Sequence, residues 1–199
     1  VCARFDRARP LMLLVVLLTC NPRLACTALV METDPLKRAS IAMKAERWEE
    51  AVSLLEPLVQ SEPSFEALWN LGWALYKLGE RRVSRDHLAR AVEIDPTRAV
   101  GHWALGSVLL DDGLYLDAEA SLTRALDGKD STLGRFSLAL ALMHQGKFAD
   151  AEDVHRKGLE IAPDSTRRLD AYADFLDDAG RCDEATAIRT RTSQLRRVN

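Results

Sequence analysis

An all-α fold assembled from repeated units is the class this sequence predicts, and three observations predict it. Ala, Leu, Glu and Arg dominate, Gly and Pro are scattered singly, and no strand-like alternation of apolar and polar residues persists. Gly79, Gly113, Gly146 and Gly180 recur at intervals of 34, 33 and 34, each closing an apolar-periodic segment as a helix-terminating glycine does. Five residues after each stands a small residue, Ser84, Ala118, Ala151 or Ala185, which lets two helices cross closely. With 199 residues, 47% hydrophobic and 29% charged, the chain can bury a substantial core as one folded body.

Taken in chain order, residues 1–30 stand apart. Arg4, Arg7 and Arg9 precede an apolar run from Leu11 to Leu18, the order of a secretory signal, and the run is short for a membrane span. Three readings remain open: cleavage after Ala28, lipidation at Cys20 in "LLTC", where Thr19 departs from the small residue expected before the cysteine, or translation starting at Met31. The first two place the protein outside the cytoplasm or at a membrane, and the third inside it.

From residue 31 to 199 the sequence reads as one repeat domain, with units at about 32–64, 65–98, 99–131, 132–165 and 166–199. In the first, "RWEEA" brings Ala51 one period before Ser84, and Pro57 inside the second helical segment predicts a bend. Pro63, Pro96 and Pro163 share one phase and break the helix before the next unit, while Asp130 holds that place once as a turn former. In the last unit the pattern fades after Tyr172-Ala173, Gly180 and Ala185, and the basic "RTRTSQLRR" from Arg189 to Arg197 reads as a solvated capping helix.

The second unit opens with "LWNLGWALYKLGE", whose large apolar residues do not fit one stripe. Leu68, Leu71 and Leu75 form one line, and Trp69, Trp73 and Tyr76 form a second at i, i+4 and i+7. Two apolar faces on one helix predict two partners: neighbouring helices for one, something else for the other.

The period and residue order resemble the tetratricopeptide repeat, a helix-turn-helix of 34 residues. The second unit carries the pattern in Leu68, Leu71-Gly72, Leu75, Gly79, Ser84, Leu88, Ala91 and Pro96. The third carries it in His102, Leu105-Gly106, Leu109, Gly113, Tyr115, Ala118, Leu122 and Ala125. Leu138-Ala139, Gly146, Phe148, Ala151 and Pro163 continue it in the fourth. His155 and Arg189 depart from it, standing where an apolar residue is usual. The resemblance implies a right-handed superhelical solenoid in which first helices line a concave surface and second helices the convex one.

On that phase the concave groove takes Trp69, Asn70, Trp73 and Tyr76 from one unit, Trp103 from the next, and Phe136, Leu140 and Met143 from the fourth. Lys37 and Lys44 make its N-terminal end basic, and Asp170, Asp174 and Asp177 make its C-terminal end acidic. Trp69 and Trp103 also admit a reading as packing against the next unit. Aromatic anchors favour a protein or peptide partner with apolar side chains; another copy of the chain, or the Leu11 to Leu18 segment, is an alternative occupant. The chaperone-binding members of the family grip a C-terminal carboxylate with a basic clamp. Here Asn70 matches one clamp position while Leu36, Val100 and Ala104 replace basic ones, so a chaperone tail is disfavoured.

Other functions find little support. The formal charge of −3 conceals an acidic body behind the basic N-terminal segment, which argues against nucleic acid. His87, His102, His144 and His155 fall at unrelated phases, and no metalloprotease, phosphate-loop or nucleophile-elbow pattern occurs, so no catalysis, cofactor or metal is expected. Four cysteines, none in a CxxC pair, indicate neither zinc nor a disulfide framework, and Cys182 reads as a small packing residue. The function expected is a non-catalytic scaffold or adaptor, the alternative a structural subunit or assembly factor of a bacterial envelope, secretion or pilus complex.

Overall fold

The computed structural model describes residues 34–126 and 132–198, and every element among them is helical. The N-terminal signal-like segment and the turn at Asp130 lie outside the described residues. The helices are α1 Pro35–Lys44, α2 Trp48–Ser61, α3 Phe65–Lys77, α4 Arg81–Ile94 and α5 Ala99–Asp111. They continue as α6 Tyr115–Leu126, α7 Thr132–His144, α8 Phe148–Ile161, α9 Thr166–Asp178 and α10 Cys182–Val198.

Local chemistry sets where these helices start and stop. Asp34 caps α1 by accepting from the backbone N–H of Leu36 at 3.0 Å, and Ser64 caps α3 by accepting from that of Ala67 at 3.2 Å. Gly79, Gly113, Gly146 and Gly180 have φ of 87°, 75°, 75° and 76°, the left-handed conformation that ends one helix and redirects the chain into the next. At the same phase of the first pair stands Glu46, a non-glycine at φ 56°. Pro57 is exposed and lies within α2 without ending it.

Packing follows the small-residue phase. Ala51, Ser84, Ala118, Ala151 and Ala185 are all fully buried where the two helices of a pair cross. Ser84 also donates its hydroxyl to the Gly72 carbonyl at 2.7 Å, so its buried oxygen is satisfied. Gly72 and Gly106 accept the side chains of Leu88 and Leu122 so closely that an added Cβ would lie 2.7 and 2.6 Å from their Cγ atoms. Leu55, Leu68, Leu71, Leu88, Leu122, Leu169 and Leu176 are among the fully buried side chains.

Each odd-numbered helix touches the next odd one, α1 on α3, α3 on α5, α5 on α7 and α7 on α9, whereas no even helix contacts the next even one among the described residues. The odd helices therefore form the inner, closely spaced layer, and the even helices splay apart on the outside. That asymmetry is what curves a stack of helix pairs.

Ion pairs clasp successive pairs at a recurring position, the residue after the buried small one. Arg85 pairs with Asp112 at 3.0 Å, Glu119 with Lys147 at 2.8 Å, and Glu152 with Arg181 at 2.7 Å. Gln145 and Tyr172 add hydrogen bonds of 2.8 Å to Glu119 and Glu152, and these donors hold both carboxyls below the usual carboxylate range.

Two expectations about single residues are corrected or explained here. Cys182 is exposed at the start of α10 rather than buried as a packing residue, because the helix begins there before its buried stripe at Ala185. His155 occupies its apolar position as a buried ring, 5.8 Å from Tyr172 and 5.1 Å from Phe175 between ring centroids, and burial pushes its pKa down to about 4.

Candidate partner-binding groove

The inner layer brings together side chains from four helices. Trp73 and Tyr76 of α3 lie against each other with ring centroids 5.1 Å apart, and Trp73 meets Trp103 of α5 at 5.0 Å. All three are half-buried, packing on one side against the core cluster of Leu88, Ala104 and Val108. They close the seam between α3 and α5 and leave part of each side chain exposed.

Trp69 sits deeper in role: it packs against the cores on both sides of α3, and its Nε1, like that of Trp103, is buried without a hydrogen-bond partner. Asn70 beside it is half-buried. On α7, Phe136 is exposed, Leu140 is half-buried, and Met143 turns partly into the core. Leu133, exposed one turn before, joins Phe136 at a recess of about 390 Å³ between α7 and α9, which Ala171, Arg167, Asp170 and Arg196 complete.

Two side chains at this surface were not singled out from the sequence. Lys77 holds its ammonium 5.1 Å from the Trp73 ring centroid and 5.8 Å from that of Tyr76. Asp111, at the end of α5, accepts the Tyr76 hydroxyl at 2.6 Å. Burial, then this bond to a carboxylate, pushes the Tyr76 phenol up to about 12. A signal for both existed: Lys77 is four residues beyond Trp73, and Asp111 lies one repeat and one residue beyond Tyr76.

The charge profile differs from the expected one. Lys44 is exposed and Lys37 pairs only loosely with Asp34 at 3.6 Å, so the N-terminal end is basic. At the other end the acidic stripe is neutralised: Arg189 pairs with Asp174 at 2.8 Å and with Asp177, and Arg196 pairs with Asp170 at 2.5 Å. Arg189, out of place in an apolar pattern, thus finds its partners on α9. Among the described residues no group of His, Cys, Asp and Glu is arranged to hold a metal ion, and no helix is long and apolar enough to cross a membrane.

Helix pairs stacked with an inner and an outer layer define a helical-repeat solenoid, a class that presents its inner surface to other proteins. The chain belongs to the tetratricopeptide repeat family, whose pattern matches residues 36–99 and 103–166. Its members are generally non-catalytic and bind other proteins. No curated protein matches the sequence. Among solved structures, MamA from Desulfovibrio magneticus RS-1, residues 41 to the end, is similar at 17% identity with a TM-score of 0.71, over 83% of this chain and 97% of that one. Another MamA crystal structure is similar at 19% identity with a TM-score of 0.69, over 80% and 94%. MamA of strain MSR-1 is similar at 24% identity with a TM-score of 0.65, over 80% and 93%. These likenesses establish the fold.

Proposed function

We propose that this protein is a non-catalytic scaffold that holds an apolar peptide or helix of a partner protein against its inner helices, with Trp73, Tyr76 and Trp103 as the central anchors. The supporting observation is the three-ring contact across the α3–α5 seam, half-buried rather than enclosed, together with exposed Val100 on α5 and exposed Leu133 and Phe136 on α7. Aromatic rings held in place by their neighbours offer large contact area at small entropy cost, the usual make-up of a binding hot spot. Half-buried Asn70, beside Trp69, adds a polar side chain next to these rings. Leu36 and Val100 leave clamp positions without cations, which tells against a chaperone tail.

A photo-reactive phenylalanine analogue in place of Phe136 tests the reading against the same group in place of Lys157, exposed on outer helix α8. The inner probe is expected to trap one protein, and Trp73→Ala to abolish the adduct. Equal labelling from the outer probe, or labelling indifferent to Trp73→Ala, counts against the groove.

A further inference from the structure

We propose that the faces of Trp73 and Tyr76 form a cation site, occupied at rest by Lys77 and taken during binding by a basic side chain of the partner segment. The inference rests on the groove reading above and names the chemistry of what enters it. Four observations carry it. The Lys77 ammonium lies over both rings at once, 5.1 and 5.8 Å from their centroids, so the position attracts a cation. Lys77 is exposed and makes no ion pair among the described residues, so no carboxylate ties it to this position. Tyr76 donates its hydroxyl to Asp111 at 2.6 Å, and a phenol donating to a carboxylate has a more electron-rich ring face. Trp103 backs Trp73 at 5.0 Å and fixes the plane of the better of the two cation-binding rings.

The remaining charge fits the same ligand. Asp111 supplies a carboxylate at the rim, where it accepts the hydroxyl of the uncharged phenol. Lys77 reaches the rings on a flexible stem and can leave them for water. An arriving arginine or lysine on an ordered segment replaces it without a change in the fold. Resident and arriving cations therefore compete, and Lys77 lowers the affinity for weak basic ligands.

The competition gives the test. The full chain is titrated with acetylated, amidated Leu-Arg-Leu and with its citrulline counterpart, which keeps the shape and loses the charge, following indole fluorescence at constant ionic strength. Choline is the third probe, standing for a lipid headgroup as the source of the cation. The expected result is at least threefold tighter binding of the arginine peptide than of the citrulline peptide. Lys77→Ala should tighten the arginine peptide at least threefold further, and Asp111→Asn should reduce the discrimination while leaving helicity unchanged. Equal binding of the two peptides, or an affinity lowered by Lys77→Ala together with preference for Leu-Glu-Leu, overturns the proposal, since Lys77 would then be the ligand-binding group. Choline binding more tightly than the arginine peptide overturns the assignment to a partner side chain. A protein trapped from the Phe136 position yet indifferent to Lys77→Ala and Asp111→Asn overturns the cation site alone. Peptide discrimination without any trapped partner supports the site and counts against the groove reading.

Discussion

Tyr76 donates its hydroxyl to Asp111 at 2.6 Å, joining the inner helices α3 and α5 across two repeat units beside the Trp73 and Trp103 rings. Burial, and after it this bond, hold the phenol protonated, up to about 12 against an ordinary value of 10.0. The unfolded chain therefore loses this proton first. The contribution to stability is complete below the unfolded pKa and is lost as pH rises through the window between them. Burial and the bond to Glu152 raise the Tyr172 phenol as well, so ultraviolet difference titration should show a late-titrating component, of which Tyr76→Phe removes a part and Asp111→Asn moves that part earlier. If Asp111→Asn leaves the titration unchanged, the bond does not form in solution.

His155 predicts the behaviour in acid. Its pKa is about 4 in the fold and 6.5 when exposed, so below pH 6.5 the unfolded state binds more protons and stability falls until the folded value is passed. The loss is on the order of 3 kcal/mol at about 1.4 kcal/mol per pKa unit. Glu66, Glu119 and Glu152, held below the value of 4.5 by Arg98, Lys147 and Arg181, act in the same direction but only at lower pH. Chemical denaturation of His155→Leu should therefore show a flatter pH profile between 6.5 and 4 than the parent. Identical slopes would mean that His155 is solvated.

Glu46 predicts a gain. It adopts φ 56° where the other pairs have glycine, and a side chain in this conformation costs about 1 kcal/mol. Glu46→Gly should raise stability by about that amount, less the added entropy of the unfolded chain. Gly79→Ala should lose about 1 kcal/mol although nothing lies within 4 Å of the new Cβ, the penalty coming from the backbone alone. Thermal melts of the two variants should move in opposite directions, and a stabilised Gly79→Ala would refute the turn conformation.

Leu71 and Trp73 separate core from groove on one helix. Leu71 is 1% exposed, so Leu71→Ala should cost about 2–5 kcal/mol through the cavity it leaves. Trp73 is half-buried against Leu88, Ala104 and Val108, so Trp73→Ala should cost less, about 1–2 kcal/mol, while removing partner binding. Denaturant midpoints decide the matter. A loss for Trp73→Ala equal to that for Leu71→Ala would make the tryptophan a core residue with no share in binding.

Much of this protein is determined by its sequence alone, because a repeat states each packing rule several times. The glycine spacing located turns that share one backbone conformation at Gly79, Gly113, Gly146 and Gly180, and the small-residue phase located crossings buried at Ala51, Ser84, Ala118, Ala151 and Ala185. These are consequences of local geometry and nearest-neighbour contact, which a period of 34 displays directly. Only the tertiary structure decided how charges and rings pair between units. Asp170, Asp174 and Asp177 read as an acidic groove end until α10 brought Arg189 and Arg196 against them. Cys182 read as a packing residue until the start of α10 left it exposed. Lys77 and Asp111 were not singled out in the sequence, since a charge shows its partner only when folding sets it against a ring or a hydroxyl. Side chains facing the core are constrained by volume at every repeat, whereas those facing the groove are constrained by contacts that differ from pair to pair.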